Sequence, residues 1–291
     1  MPDFDHIAVL GFGTMGAGIA QLVAQPGCSI TVLDSDADRI EVGRTIVSES
    51  VAAGVKRGKV TEDQRADISD GITATTKVED LAQAQLVIEA VTERRDIKTA
   101  LLARISEVVS AETIIATNTS ALSVTDLAGS VSNPERFAGL HFFNPAPVMK
   151  VIEIVRALQT ADTTIDQLNQ FVHSIGKNPV NVKDRPGFLV NYLLMPYLND
   201  VIQAYDDGLA TAEDIDTAAK LGLGYKLGPF ELLDLIGLDV HHHATRSAYE
   251  ATFDSRFAPP PLLQQMVAAG YDGDKNGHGF RTIEEISNER I

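Results

Sequence analysis

The chain has 291 residues, 44% of them apolar and 22% charged, and a formal net charge of −16. This composition excludes a disordered chain and suits two domains or one large one. The acidic balance excludes general affinity for nucleic acid or anionic lipid, so a polyanionic ligand needs a local basic cluster.

The single cysteine, Cys28, excludes an intramolecular disulfide and a Cys-cluster metal site, and no metal is expected. No apolar run approaches the roughly 20 residues of a membrane span. Met1 to His6 is acidic and polar, unlike a secretory signal, so a cytoplasmic protein is expected.

Residues 6–10 form a short apolar run that suits a buried parallel strand. A glycine-rich turn follows, then a helical stretch through Ile19 to Ala24. Ser29 to Asp34 reads as a second strand ending in an acid, and Asp38 to Lys59 as a helix. Strands are predicted at Gly71–Thr75, Leu86–Ala90 and Thr113–Thr117, with a helix over Asp96–Val109. Alternating strand and helix predicts an open, mostly parallel sheet covered on both faces. Glu153 lies in a later apolar strand, Val151–Val155, where a buried carboxylate needs a partner.

The pattern changes near Pro186, beyond which no strand is predicted. Gly187 to Tyr205 has apolar residues at helical spacing, with Pro196 expected to kink it and Gly208 to end it. Thr211 to Asp214 opens another helix with a capping-box-like start. The domain boundary is placed at residue 185, giving 1–185 and 186–291.

Gly11-Phe12-Gly13-Thr14-Met15-Gly16 is G-x-G-x-x-G between a strand and a helix. Gly11 makes the tight turn, Gly13 lets the backbone approach a pyrophosphate, and Gly16 allows close helix–strand packing. The helix N-terminus would hold the pyrophosphate. Asp34, closing the second strand, suits ribose hydroxyls and repels a 2′-phosphate, which favours NAD over NADP. FAD shares the fingerprint and leaves the redox half of the cofactor open at this point. The fold expected is α/β: a Rossmann-type, mostly parallel sheet domain followed by an all-helical C-terminal domain.

Further motifs follow in order: Val87 to Lys98 (VIEAVTERRDIK), Asn118-Thr119-Ser120, His141-Phe142-Phe143-Asn144-Pro145, Gly187 to Asn191 (GFLVN) and Leu227 to Leu232 (LGPFEL). From Ile7 to Phe280 this set resembles the L-3-hydroxyacyl-CoA dehydrogenase family, in particular its short bacterial 3-hydroxybutyryl-CoA members. The resemblance implies an NAD-binding domain, a helical domain that forms a homodimer, and an acyl-CoA substrate. Hydride would pass between C3 of an (S)-3-hydroxyacyl-CoA and the nicotinamide.

Carried over by motif, His141 is the general acid/base and Glu153 its carboxylate partner. Ser120 and Asn191 bind the substrate oxygen. Gly11, Gly13, Thr14, Met15, Gly16, Asp34, Glu89, Lys98, Asn144 and Lys275 fall at dinucleotide-binding positions. Arg57 and Lys59, flanking Gly58, would meet the CoA nucleotide. Histidine suits the step because hydride leaves C3 only as the hydroxyl proton is removed by a base of near-neutral pKa. A carboxylate on the other imidazole nitrogen fixes the tautomer.

Plainer roles stand beside these. Ser120 suits a helix N-cap before Leu122, and Asn191 could hydrogen-bond within its own helix. Asp272 to Gly277 begins like a calcium loop, but Ile283 occupies position 12, where a glutamate is needed. His241-His242-His243 are expected to be surface or interface residues, since neighbours on a helix point apart. Tyr192 stands where relatives commonly have arginine, Arg281 where an aromatic residue is usual, and Pro26-Gly27 interrupts the first helix-to-strand turn. Two other readings remain open: a dehydrogenase acting on an acyl-carrier-protein-bound or free 3-hydroxy acid, and a non-catalytic NAD-binding protein.

Overall fold

A computed structural model describes residues 4–24 and 28–281. Pro26-Gly27 and Ile283 lie outside the described residues. The chain divides into two compact units, residues 1–184 and 185–291.

The first unit is built on an eight-stranded sheet in the order β3-β2-β1-β4-β5-β6-β7-β8. Its strands are β1 (His6–Leu10), β2 (Ser29–Leu33), β3 (Ile72–Thr75), β4 (Leu86–Glu89), β5 (Ile114–Thr117), β6 (Phe137–Phe142), β7 (Val151–Arg156) and β8 (Asn178–Lys183). The first six pair in parallel, and their order is that of a doubly wound dinucleotide fold. β7 runs antiparallel to β6 and parallel to β8. The central strands β4 and β5 are buried throughout, as expected where helices cover both sheet faces.

Helix α1 (Thr14–Val23) follows the glycine turn directly. The predicted long helix is α2 (Ala37–Lys56), capped by the Asp36 carboxylate, which accepts from the Arg39 amide. A separate helix, α3 (Glu62–Gly71), has a Thr61/Gln64 capping box and no buried residue. It therefore carries no apolar stripe from which it could be read. Helix α4 (Arg95–Val108) crosses from β4 to β5, and short α5 (Val124–Ala128) and α6 (Asp162–Ser174) complete the unit.

The second unit is helical: α7 (Val190–Asp206), α8 (Ala212–Thr217), α9 (Pro229–Ile236), α10 (Leu238–Thr252) and α11 (Pro261–Ala268). Its core joins Leu198, Ile202, Phe230, Leu233, Leu238 and Leu263. Pro196 sits inside α7, and Gly208, at φ +73°, follows its C-terminus. Thr211 caps α8 by accepting from the Asp214 amide.

Two buried carboxylates tie this unit together. Asp216 accepts from the Phe230 and Glu231 amides at the start of α9. Asp234 accepts from the Phe280 and Arg281 amides, at 2.9 Å each, and so anchors the C-terminal turn. The Arg281 guanidinium pairs with Glu231 at 2.9 Å.

The histidine triplet departs from expectation. His241 is buried and its Nε2 lies 3.1 Å from Asn199 Oδ1. The buried positions of α10 are 238, 241, 245 and 248, a helical stripe that takes His241 inward while His243 stays exposed. Burial pushes the His241 imidazole down to about 4, so it is neutral near pH 7. Among the described residues, no three His, Cys, Asp or Glu side chains are grouped to hold a metal ion.

Candidate active site

In a doubly wound sheet, ligands bind beyond the carboxyl ends of the strands, where the strand order reverses. Here that point lies between β1 and β4. The Gly11–Gly16 turn leaves the end of β1, Asp34 follows β2, Asn118 to Ser120 follow β5, and Asn144 follows β6. These strands are parallel, so the segments share one edge of the sheet.

The glycine turn is demanding at two positions. Gly11 has φ +92°, and its amide donates to the Leu33 carbonyl at 2.8 Å. A Cβ on Gly16 would stand 1.9 Å from the Gly11 carbonyl oxygen, so only glycine fits there. Gly13 differs, because a Cβ there would meet nothing within 4 Å and its φ of −73° suits any residue. Protein packing alone does not require glycine at this N-cap of α1. A close-lying phosphate over the helix N-terminus does. The chain thus fits a dinucleotide at the point where the motif predicts one.

Asp34 is built into the same turn. Its Oδ2 accepts from the Phe12 amide at 2.6 Å, and its Oδ1 accepts from the Ser35 amide at 2.6 Å. The carboxylate therefore fixes the turn.

Glu89 and Lys98 are sealed from solvent, at 0% and 1% exposure. Glu89 Oε1 accepts from Lys98 Nζ and the Val91 amide, both at 2.7 Å, and Oε2 accepts from Thr117 Oγ1 at 2.6 Å. Lys98 Nζ also lies 3.3 Å from Glu93 Oε2.

Glu93 was not singled out by sequence reasoning. Its Oε1 accepts from the Ser120 and Ala121 amides, at 2.8 and 3.0 Å, and from the Thr119 hydroxyl. Burial pushes its carboxyl up. Lys98 and the Thr119, Ser120 and Ala121 donors outweigh that and hold it below the usual range. Glu93 thus shapes the loop that presents Ser120, which is exposed. The signal was available, since Glu93 lies within the quoted VIEAVTERRDIK motif. Ser120 is not a helix N-cap: Ser123 caps α5 by accepting from the Asp126 amide, and Thr119 Oγ1 accepts from the Leu122 amide.

His141 and Glu153 face each other across the antiparallel β6–β7 ladder. His141 Nδ1 lies 2.7 Å from Glu153 Oε2, with the residues 6% and 0% exposed. An ionised carboxylate only accepts, so the imidazole donates through Nδ1–H, which places its basic lone pair on Nε2. Phe143 packs against the imidazole with ring centroids 4.6 Å apart. Asn118 Oδ1 accepts from the Phe142 amide at 2.8 Å and ties the end of β6 to the Ser120 loop.

Arg57 and Lys59 are exposed at the C-terminal end of α2, around Gly58 at φ +64°. In the helical unit, Asn191 is partly exposed in the first turn of α7. Lys275 Nζ pairs with Asp239 at 2.6 Å. Beside Asn191, Tyr192 OH accepts from Arg256 Nη2 at 2.9 Å, and the guanidinium lies 5.6 Å over the tyrosine ring. Arg256 thus stands next to Tyr192, but its guanidinium is paired with Asp254 at 2.8 Å and adds no net positive charge there.

The family model described as "3-hydroxyacyl-CoA dehydrogenase, NAD binding domain" matches residues 6–185, and "3-hydroxyacyl-CoA dehydrogenase, C-terminal domain" matches 187–283. The chain belongs to the 3-hydroxyacyl-CoA dehydrogenase family. It is an NAD-dependent oxidoreductase of that family. A human relative, "Hydroxyacyl-coenzyme A dehydrogenase, mitochondrial", is 40% identical over 283 residues, 94% of this chain and 90% of that one. The "3-hydroxybutyryl-CoA dehydrogenase" of Mycobacterium tuberculosis is 40% identical over 279 residues, 95% of this chain and 98% of that one. The crystal structure of (S)-3-hydroxybutyryl-CoA dehydrogenase from Ralstonia eutropha superposes with a TM-score of 0.93 at 39% identity, covering 96% of this chain and 99% of that one. Among the described residues, no helix is long and apolar enough to cross a membrane.

Proposed function

We propose that this dehydrogenase interconverts short-chain (S)-3-hydroxyacyl-CoA and 3-ketoacyl-CoA, with 3-hydroxybutyryl-CoA and acetoacetyl-CoA as the working pair. The carrying observation is the buried His141–Glu153 contact at the strand edge that also bears the dinucleotide turn. NAD, held by the Gly11–Gly16 turn and Asp34, would supply the hydride acceptor for C3. His141 takes the C3 hydroxyl proton at Nε2 as the carbon–oxygen double bond forms, and returns it in the reverse direction. Glu153 holds the productive tautomer and stabilises the imidazolium. Ser120 Oγ donates to the developing oxygen charge, on a loop set by Glu93. Asn191 keeps the substrate-binding role its motif implies, and Lys275 and Asn144 their dinucleotide roles.

The first unit is read as the NAD-binding domain, and the second as the substrate and dimerisation domain. Arg57 and Lys59 supply the positive charge that an acidic protein needs for CoA phosphates. Exposed apolar side chains in the helical unit, among them Leu209, Leu221, Leu223 and Phe253, support a homodimer. We place the enzyme in the cytoplasm, where CoA thioesters and NAD meet.

The test is NADH oxidation with acetoacetyl-CoA, run beside NADPH. Turnover with NADH carries the reading. No turnover by folded, NADH-binding protein overturns the CoA substrate and favours a carrier-bound or free 3-keto acid.

A further inference from the structure

Residues 143–150 join β6 to β7 and begin with Phe143 and Asn144. Apart from Ala146, which is buried in the core, this turn buries little apolar surface, and Val148 is 66% exposed. Its inner bonds are two, from the Val148 and Met149 amides to the Pro145 carbonyl, each at 3.0 Å. Outside contacts hold it on two sides. At Gly18 of α1, a Cβ would meet Pro147 Cδ at 3.4 Å and Ala146 Cβ at 3.5 Å, so the dinucleotide helix packs against the turn. Lys177 Nζ donates to the carbonyls of Pro147, at 2.9 Å, and Met149, at 2.7 Å. The next residue, Asn178, donates to the Lys150 carbonyl through both its amide, at 2.8 Å, and its Nδ2, at 3.1 Å.

Lys177 is 8% exposed, and the ion pairs of the described residues include none to it. Burying an ammonium group among carbonyls costs solvation free energy that a neutral residue at this strand entry would not incur. Charge-assisted bonds to two carbonyls of one turn are what the charge gains there. The Asn144 position gives this a purpose. Asp34 and the Gly11–Gly16 turn, on the β2 and β1 side, take the adenosine and pyrophosphate. β6 lies three strands from β1, or about 14 Å at a strand spacing of ~4.8 Å. That places Asn144 toward the nicotinamide half of the cofactor.

We propose that Lys177 is a positioning residue for the nicotinamide end of the cofactor, because its clamp on Pro147 and Met149 fixes the turn that presents Asn144. The inference rests on the proposed dinucleotide role of Asn144.

The experiment compares two ligands on the full chain by calorimetry: NAD, and ADP-ribose, which keeps the adenosine and both phosphates but lacks nicotinamide. Lys177→Met is expected to weaken NAD about tenfold while moving ADP-ribose by less than about twofold. Lys177→Arg, which keeps charged donors, is expected to recover most of the loss. Should the Met variant not fold, Lys177→Gln carries the same comparison. Equal weakening of both ligands, or loss of folding in both variants, makes Lys177 merely structural and overturns the proposal. Asn144→Ala separates the two readings. If it weakens NAD selectively while the Lys177 variants leave the NAD to ADP-ribose ratio unchanged, the inference falls and the Asn144 role stands. If Asn144→Ala leaves that ratio unchanged, the Asn144 role falls and the inference with it.

Discussion

His141 Nδ1 and Glu153 Oε2 lie 2.7 Å apart, on residues directly opposite in the antiparallel β6–β7 ladder. The pairing fixes which imidazole nitrogen is left to exchange a proton. His141→Gln should reduce kcat by about 10²–10⁴-fold, the usual range for a lost acid/base group, with NADH affinity nearly unchanged. Steady-state rates with a parallel NADH titration check this. Loss of NADH binding along with turnover would argue against the assigned role.

Gly13 and Gly16 should respond differently to the same methyl group. Gly16→Ala drives a Cβ to 1.9 Å from the Gly11 carbonyl oxygen, so thermal stability falls and the nucleotide turn shifts. Gly13→Ala meets no protein atom within 4 Å. It should leave stability within about 0.5 kcal/mol of the parent while weakening NAD. Melting curves with and without NAD give both answers. An unweakened Gly13→Ala variant would remove the phosphate from the α1 N-terminus.

Asp34→Ala should weaken NAD and lower its preference over NADP, because the repelling carboxylate is gone. The loss includes the bond from the Phe12 amide, so part of the effect is on turn geometry. The ratio of kcat/KM with NADH and NADPH is the readout, and an unchanged ratio would contradict the assignment.

Lys98→Met should destabilise the fold by about 3–5 kcal/mol, because it leaves the Glu89 carboxylate buried without its charged partner. Denaturant unfolding measures this. A variant of normal stability that lost only NAD affinity would instead make Lys98 a direct ligand of the cofactor.

Asp234 gives the helical unit a pH signature. Burial pushes its carboxyl up to about 6 in the folded chain, against 3.8 as the ordinary value. The folded state then holds the proton that the unfolded chain gives up, so this group's contribution falls as pH rises from about 4 to about 6. The full effect is about 3 kcal/mol as an upper bound. Asp234→Asn cannot ionise. Its melting temperature should therefore lie furthest below the parent near pH 4, with the gap narrowing toward pH 7.

The legibility of this fold followed burial. Strands β1, β2, β4 and β5 were readable because apolar side chains dominate each short run and most of them are buried. Helix α3 buries none of its residues and so shows no period. β8 is an edge strand containing Pro179 and two asparagines, a composition that reads as loop. In the site, His141, Glu153 and the glycine turn were legible through spacing and motif. Glu93 lay within a quoted motif but was not picked out, because its partners include the backbone amides of Ser120 and Ala121, which any sequence supplies. His241 was misjudged because adjacency in a triplet hid its place on the buried face of α10.

The antiparallel register sets a parity rule for the loop of residues 143–150. Side chains alternate faces along a strand, so sliding β7 by one residue would turn Glu153 to the far face and set Ile152 or Ile154 beside the imidazole. An insertion or deletion in this loop that moved β7 by one place would therefore break the His141–Glu153 contact, and with it the proposed proton exchange, without altering either residue. Loop length here is part of the chemistry.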